Sequence, residues 1–121
     1  MQLTRDMGSV NLIRAWESGR VRIGDRWVAG NVIVGAERVE PWNVGTPGAI
    51  TLADLDLPVS LGPEIVLLGT GAQLALPDLE LVAALGERGI GLEIMSTPAA
   101  CRTFNVLLQE QRRVVAALFN P

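Results

Sequence analysis

The sequence predicts an α/β fold: a three-layer domain with a central mixed β-sheet, helices on one face and a β-hairpin layer beside it. Three observations predict it. The first part of the chain, through Trp42, is strand-like throughout. From Ile65 onward, strand and helix patterns alternate to the end. The run Ile65–Leu68 is apolar without interruption, as in strands buried on both faces of a parallel sheet.

Each element follows from local chemistry. Val10–Trp16 reads as the first strand. Arg20–Ile23 and Arg26–Ala29 form a hairpin, because Val21, Ile23, Trp27 and Ala29 alternate with polar neighbours around the tight turn Gly24-Asp25. From Asn31 to Trp42 the chain reads as one further strand that weakens toward Pro41. Val32 and Val34 share one of its faces and Ile33 takes the other, while Gly35 marks a bulge or a close backbone approach. Asn43–Gly48 is loop by composition. Thr51, with Asp54 three residues on, makes a variant capping box that opens a short helical turn, closed by Pro58. After Ile65–Leu68, Asp78 is placed to cap a helix from Leu79 to Arg88. Its apolar face is Leu81, Val82, Leu85 and the flanking alanines, and Gly89 suits the C′ position. Leu92–Met95 is the next strand, and a right-handed crossover makes it a parallel neighbour of Ile65–Leu68. Thr97 caps the following helix, with Pro98 at its first position. The last strand runs from Val114 to Phe119.

Composition narrows the function classes. A chain of 121 residues makes one domain, residues 1–121, with no repeat and no interdomain linker. It is 49% apolar, so a compact soluble domain is expected. No apolar run is long enough for a membrane span, and the N-terminus reads as neither a signal nor a transit peptide, so a cytoplasmic location is expected. A net charge of −3 without a basic block argues against a nucleic-acid partner. The chain has no His, Lys or Tyr. Histidine-assisted nucleophiles, imidazole metal sites, the Walker A lysine and Schiff-base chemistry are therefore excluded. One Cys precludes an internal disulfide and a cysteine zinc cage. No cofactor and no metal is expected, and carboxylate or cysteine chemistry remains open.

Several residues are candidates. Gly69, Thr70 and Gly71 follow a buried strand, where open sheets bind ligands, but Leu74 stands where a dinucleotide fingerprint has its third glycine. The alternative reading is a tight strand-exit turn. Thr97-Pro98 opens a helix beside that loop, and its N–H groups favour a small anion; ordinary capping is the plainer reading. Cys101 is near the helix start, where thiol pKa values fall, yet it shares a stripe with Phe104 and Leu108 that marks a packed core cysteine. Arg102, Asn105 and Gln109 line up on the other side of the helix and read as either a solvated face or a recognition surface. That surface would extend to Glu110, Arg112 and Arg113, with Arg113 offsetting Glu110 at the helix end. Trp16, Trp27 and Trp42 read as packing in the strand-rich half; an exposed Trp42 would mark a protein interface.

The segment EIVLLGTG, a Pro and a helix, then GIGLEIMSTPAACRTFNVLLQEQRRVVAALF, resembles a small family of domains. The family includes the mitochondrial complex I (NADH:ubiquinone oxidoreductase) assembly factor 3 type and the adipogenesis-associated Mth-type domain proteins. The motif lies in Thr97, Ala100, Cys101, Arg102, Thr103, Phe104 and Asn105, followed by Glu110 and Arg112. Phe104 stands where many relatives carry Tyr, and the chain lacks the targeting segment of the mitochondrial members. The resemblance implies a three-layer α/β fold and an assembly or regulatory role without an established reaction.

Two functions are therefore weighed. The first is a non-enzymatic binding or assembly-support module for a protein partner or a small anionic metabolite, with Gly69, Thr70, Gly71, Thr97, Arg102, Asn105, Glu110 and Arg112 as ligand-binding residues. The second is a small enzyme or anion-binding protein using the cleft between Gly69–Gly71 and Thr97, with Cys101 or Glu110 as the reactive group. The oligomeric state stays open.

Overall fold

The computed structural model describes residues 10–121, so the N-terminal stretch read for leader segments lies outside the described residues, Val10 apart. The strands are β1 (Ile13–Glu17), β2 (Arg20–Ile23), β3 (Arg26–Ala29), β4 (Val32–Val34), β5 (Val39–Pro41), β6 (Ile65–Gly69), β7 (Gly91–Met95) and β8 (Val114–Leu118). The helices are α1 (Asp56–Ser60), α2 (Glu80–Gly86) and α3 (Thr97–Gln109). Strands β1, β2 and β3 form an antiparallel sheet of their own, and the others form a mixed sheet in the order β5-β4-β8-β6-β7. β6 and β7 are parallel neighbours, with Ile65 opposite Gly91 and Gly69 opposite Met95, as the crossover predicts. β8 runs parallel to β6 on one side and antiparallel to β4 on the other.

Strand alternation splits the core in two. Val114, Ala116 and Leu118 face one side together with Val32, Val34 and Leu67. Ala100, Cys101, Phe104 and Leu108 of α3 pack there, beside Ile13, Val21 and Ile23 of the small sheet. Val115, Ala117 and Phe119 face the other side with Ile33, Val66 and Leu68, covered by Leu81 and Leu85 of α2, Leu55 and Trp42. The mixed sheet, the helices and the separate strand layer are those the sequence predicts. The helices divide between the faces: α1 and α2 lie on one, and α3 shares the other with the small sheet. The strand order explains the division. The chain moves outward from β6 to β7 and back past β6 to β8. Two right-handed crossovers travelling in opposite directions must use opposite faces.

Three local expectations change. The single strand expected over residues 31–42 is the hairpin β4–β5, in which Val32 pairs with Pro41 and the Gly35 N–H donates to Arg38 O at 2.8 Å. The polar residues after Gly35 fold the weak half of the strand back as an edge, where Pro41 breaks no ladder. Pro58 does not end the helical turn but lies buried inside α1, at a first-turn position whose N–H would have had no helical partner. The chain leaves instead through Gly62, at φ +77°. Trp27 is not core: it is partly exposed, with the Arg20 guanidinium 4.1 Å above its ring. Trp42 is buried against Phe119 and donates to Asp54 O at 2.9 Å, so it is packing rather than interface.

Candidate functional site

The strand-to-helix junction is closed by its own hydrogen bonds. Ser96, not Thr97, caps α3, accepting from the Ala99 N–H at 3.4 Å. Thr97 is the first helical residue, Pro98 the second, and the Thr97 hydroxyl is fully buried. That hydroxyl accepts from the Gly71 N–H at 2.8 Å and donates to Phe119 O at 2.7 Å. The Thr97 N–H donates to Gly71 O at 2.7 Å and the Ala100 N–H to Ser96 O at 2.9 Å. With Pro98 lacking an N–H, the opening turn has no free donor for an anion. The Thr70 hydroxyl is equally engaged: it donates to Gln73 O and accepts from the Ala75 N–H, both at 2.9 Å. At Gly69 a Cβ would sit 2.9 Å from Leu118 Cδ2 and 3.0 Å from the Thr97 backbone, so the glycine serves close packing. Gly69, Thr70, Gly71 and Thr97 do come together as the sequence predicts, but as a tight strand-exit turn rather than a cleft.

The polar line on α3 also divides. Arg102, Gln109 and Glu110 are exposed. Asn105 is not part of an open face: its Oδ1 accepts from the Ile13 N–H at 2.8 Å and its Nδ2 donates to Ile13 O at 2.7 Å. The amide thus acts as a two-sided peptide partner that ties α3 to β1. Cys101 is buried, and desolvation pushes its thiol from 9.0 up to about 12, only partly countered by the Arg102 charge. It is a core cysteine, and a thiol held protonated cannot serve as the nucleophile. Below pH 9.0 the thiol is protonated in both folded and unfolded chains; above it the unfolded chain loses its proton first. Stability should therefore fall as pH climbs from 9.0 toward about 12. Cys101→Ala should flatten that alkaline limb in unfolding titrations, and a limb of unchanged slope would refute the assignment.

The far end of α3 opens onto a groove of about 460 Å³ lined among others by Arg38, Leu108, Gln111, Arg112 and Arg113. Arg112 donates to Glu64, and Arg113 Nη1 lies 3.3 Å from Glu64 Oε2. The Arg112 hydrogen bond above all holds the Glu64 carboxyl below its ordinary value. Arg113 thus pairs with Glu64, not with Glu110 as the helix spacing suggests. Arg38, also lining the groove, pairs with Glu40 at 2.6 Å. The arginines of this groove are thus each held by a carboxylate. Gln111 ends α3 in the left-handed region, at φ 62°, with its N–H on Leu108 O and that of Arg112 on Leu107 O. This is a helix-ending turn that favours glycine. Gln111→Gly should raise stability by about 1 kcal/mol in denaturant titrations, and a loss would show that the side chain itself is needed. Arg112 and Arg113 were expected at this end of the helix; Arg38 and Glu64 were not, because only the tertiary fold brings residues so far apart in sequence to one end of the sheet.

A third feature is apolar. Leu74, Leu76, Leu79 and Val82 are 58%, 58%, 54% and 38% exposed. Val82 was expected on the buried face of its helix; Leu81 and Leu85 fill that face and turn Val82 outward with Ala83. The spacing of Leu79, Val82, Ala83 and Gly86 was the available signal: α2 is apolar around most of its circumference. Among the described residues, no group of acidic or sulfur side chains could hold a metal ion, and no helix is long and apolar enough to cross a membrane.

Comparison with known proteins agrees with this architecture. Residues 13–119 match a family described as "Protein of unknown function (DUF498/DUF598)". The chain is 40% identical over 101 residues to the NADH dehydrogenase [ubiquinone] 1 alpha subcomplex assembly factor 3 of Danio rerio. The match covers 78% of this chain and 58% of that protein. A crystal structure of a Bordetella parapertussis protein superposes with a TM-score of 0.86 at 35% identity, covering 93% of this chain and 98% of that one. A solution structure from Bordetella pertussis, described as an Mth938-like domain, gives 0.78 at 30% identity, covering 99% and 92%.

Proposed function

We propose, from the premise that this chain belongs to the DUF498/DUF598 family, that it is a non-enzymatic binding or assembly-support module whose ligand is another protein. The observation that carries this is the group of large apolar side chains left in water at Leu74, Leu76, Leu79 and Val82. Such groupings mark interaction sites on soluble proteins. The name of the assembly factor relative supports the same reading. The exposed polar groups of Arg102, Glu110 and Arg112 are available as secondary contacts. In this reading the chain acts as a single domain over residues 1–121, at a cytoplasmic location.

The test is affinity capture from native lysate with the immobilised chain, against a Leu74→Ser/Leu76→Ser variant. Both changes are on exposed side chains and should leave stability within about 0.5 kcal/mol. A protein partner retained by the wild type and released by the variant is the expected result. If the wild type retains nothing beyond an unrelated control domain, the reading fails.

A further inference from the structure

We propose that the free edge of β7, together with the exposed side of α2 and the loop before it, docks an extended segment of a partner protein as a sixth strand of the central sheet. The segment is apolar at alternate positions and basic at its flanks. The proposal rests on the protein-partner reading above and names the surface and the chemistry of the partner.

The edge comes first. Among the described residues, β7 ends the five-stranded sheet and pairs only with β6. The Gly91 N–H donates to Glu64 O and Met95 O accepts from the Thr70 N–H, both at 2.9 Å, so these residues turn their peptide groups inward. By ladder alternation, the peptide groups of Leu92 and Ile94 turn outward. Among the described residues, no hydrogen bond from another element reaches them. Sheets ordinarily blunt such edges with proline, bulges, charged side chains, lysine above all, or brevity. The opposite edge, β5, has three residues and ends in Pro41. β7 has five residues in an unbroken register and no proline, and its one charge is the acidic Glu93.

The second observation is the apolar flank. α2 lies mainly over β7, with Leu81 and Leu85 reaching inward to Val66 and Leu68, so its other side lies toward the margin of the sheet. Its outward residues, Leu79, Val82, Ala83 and Gly86, are exposed, and Leu74 and Leu76 precede them. A strand added to β7 would extend the sheet on this side and bring side chains of alternate residues toward that flank.

Charge selects the occupant. Between residues 74 and 95 the exposed charged residues are Asp78, Glu80, Glu87 and Glu93 against Arg88. A basic segment complements that rim. A second copy does not: two-fold pairing of β7 through Leu92 and Ile94 would set Glu93 opposite Glu93, and like charges directly opposed destabilise a sheet. An anionic membrane is repelled by the same acids.

The probe is a fluorescein-labelled peptide, Lys-Val-Thr-Val-Thr-Val-Lys, titrated with the full chain and read by anisotropy, beside the same peptide with Glu at both ends. The basic peptide should bind saturably and the acidic one about tenfold more weakly or not at all. Ile94→Pro removes an outward N–H while sparing the ladder to β6, and should weaken binding about tenfold. If that variant does not fold, Leu79→Ser/Val82→Ser, on exposed positions, decides with the same expected loss. Absent binding, equal binding of both peptides, or unaltered binding by the folded variants overturns the proposal. So does a dimer in sedimentation that the double variant abolishes, or flotation with phosphatidylglycerol vesicles that it abolishes, since each puts another occupant on the face. Lysate capture that survives the double variant overturns this docking edge and leaves the protein-partner reading intact; no capture by the wild type overturns that reading itself.

Discussion

Replacing Thr97 by Val should cost the domain about 3 kcal/mol, seen as a fall in the urea midpoint at unchanged slope. Valine matches threonine in shape, so the loss is not one of packing. The buried hydroxyl joins the Gly71 N–H to Phe119 O, and its removal leaves one donor and one acceptor unpaired in a site without water access. Each such group costs about 1–3 kcal/mol. A helix-cap role would predict only about 1 kcal/mol. Thr97→Ser, which keeps the hydroxyl, should retain most of the stability, and Ser96→Ala should show the smaller cap-sized loss. A Thr97→Val loss of only about 1 kcal/mol would reduce the hydroxyl to a cap-sized contribution, and an unchanged midpoint would refute the cross-link outright.

Asn105→Ala should cost about 2 kcal/mol, and the loss should be local. The amide is the polar link from α3 to the first strand, pairing both peptide groups of Ile13, and Ile13 is itself buried. Without it the small sheet keeps its apolar contacts with α3 but loses this anchor. Amide hydrogen exchange should therefore accelerate in β1 and β2 more than in β6 and β8. Arg102→Ala, on an exposed neighbour along the same helix, should stay within about 0.5 kcal/mol. If the two variants behave alike, Asn105 belongs to a solvated face after all. If both are stable and both lose partner capture, the whole line is a recognition surface.

These two residues show where sequence reading reaches its range. Spacing along α3 correctly puts Cys101, Phe104 and Leu108 on one buried stripe, because apolar burial depends only on which side of the helix meets a core. Spacing also puts Arg102 and Asn105 near one another, but it carries no information on what stands opposite. Arg102 meets solvent, whereas Asn105 meets a strand 92 positions away. Likewise, Thr before Pro correctly announces a helix start, yet Ser96 and Thr97 compete for the cap. The winner follows from Thr97 being drawn inward by Gly71 and Phe119.

By itself, the sequence determined the strand–helix–strand unit from Ile65 to Met95, the parallel pairing of its strands, the alternation of Val32, Ile33 and Val34 between two faces, and the burial of the cysteine. All of these are set by local periodicity and by the handedness of L-amino acids, which act within a few residues of each position. Only the tertiary structure decided that α3 crosses to the face opposite α2, that Arg112 and Arg113 meet Glu64, and that β7 is left as the outer edge beside an apolar helix flank. Those follow from the order of strands in the sheet, which is chosen by the total burial of both faces at once and is written in no single segment of the chain.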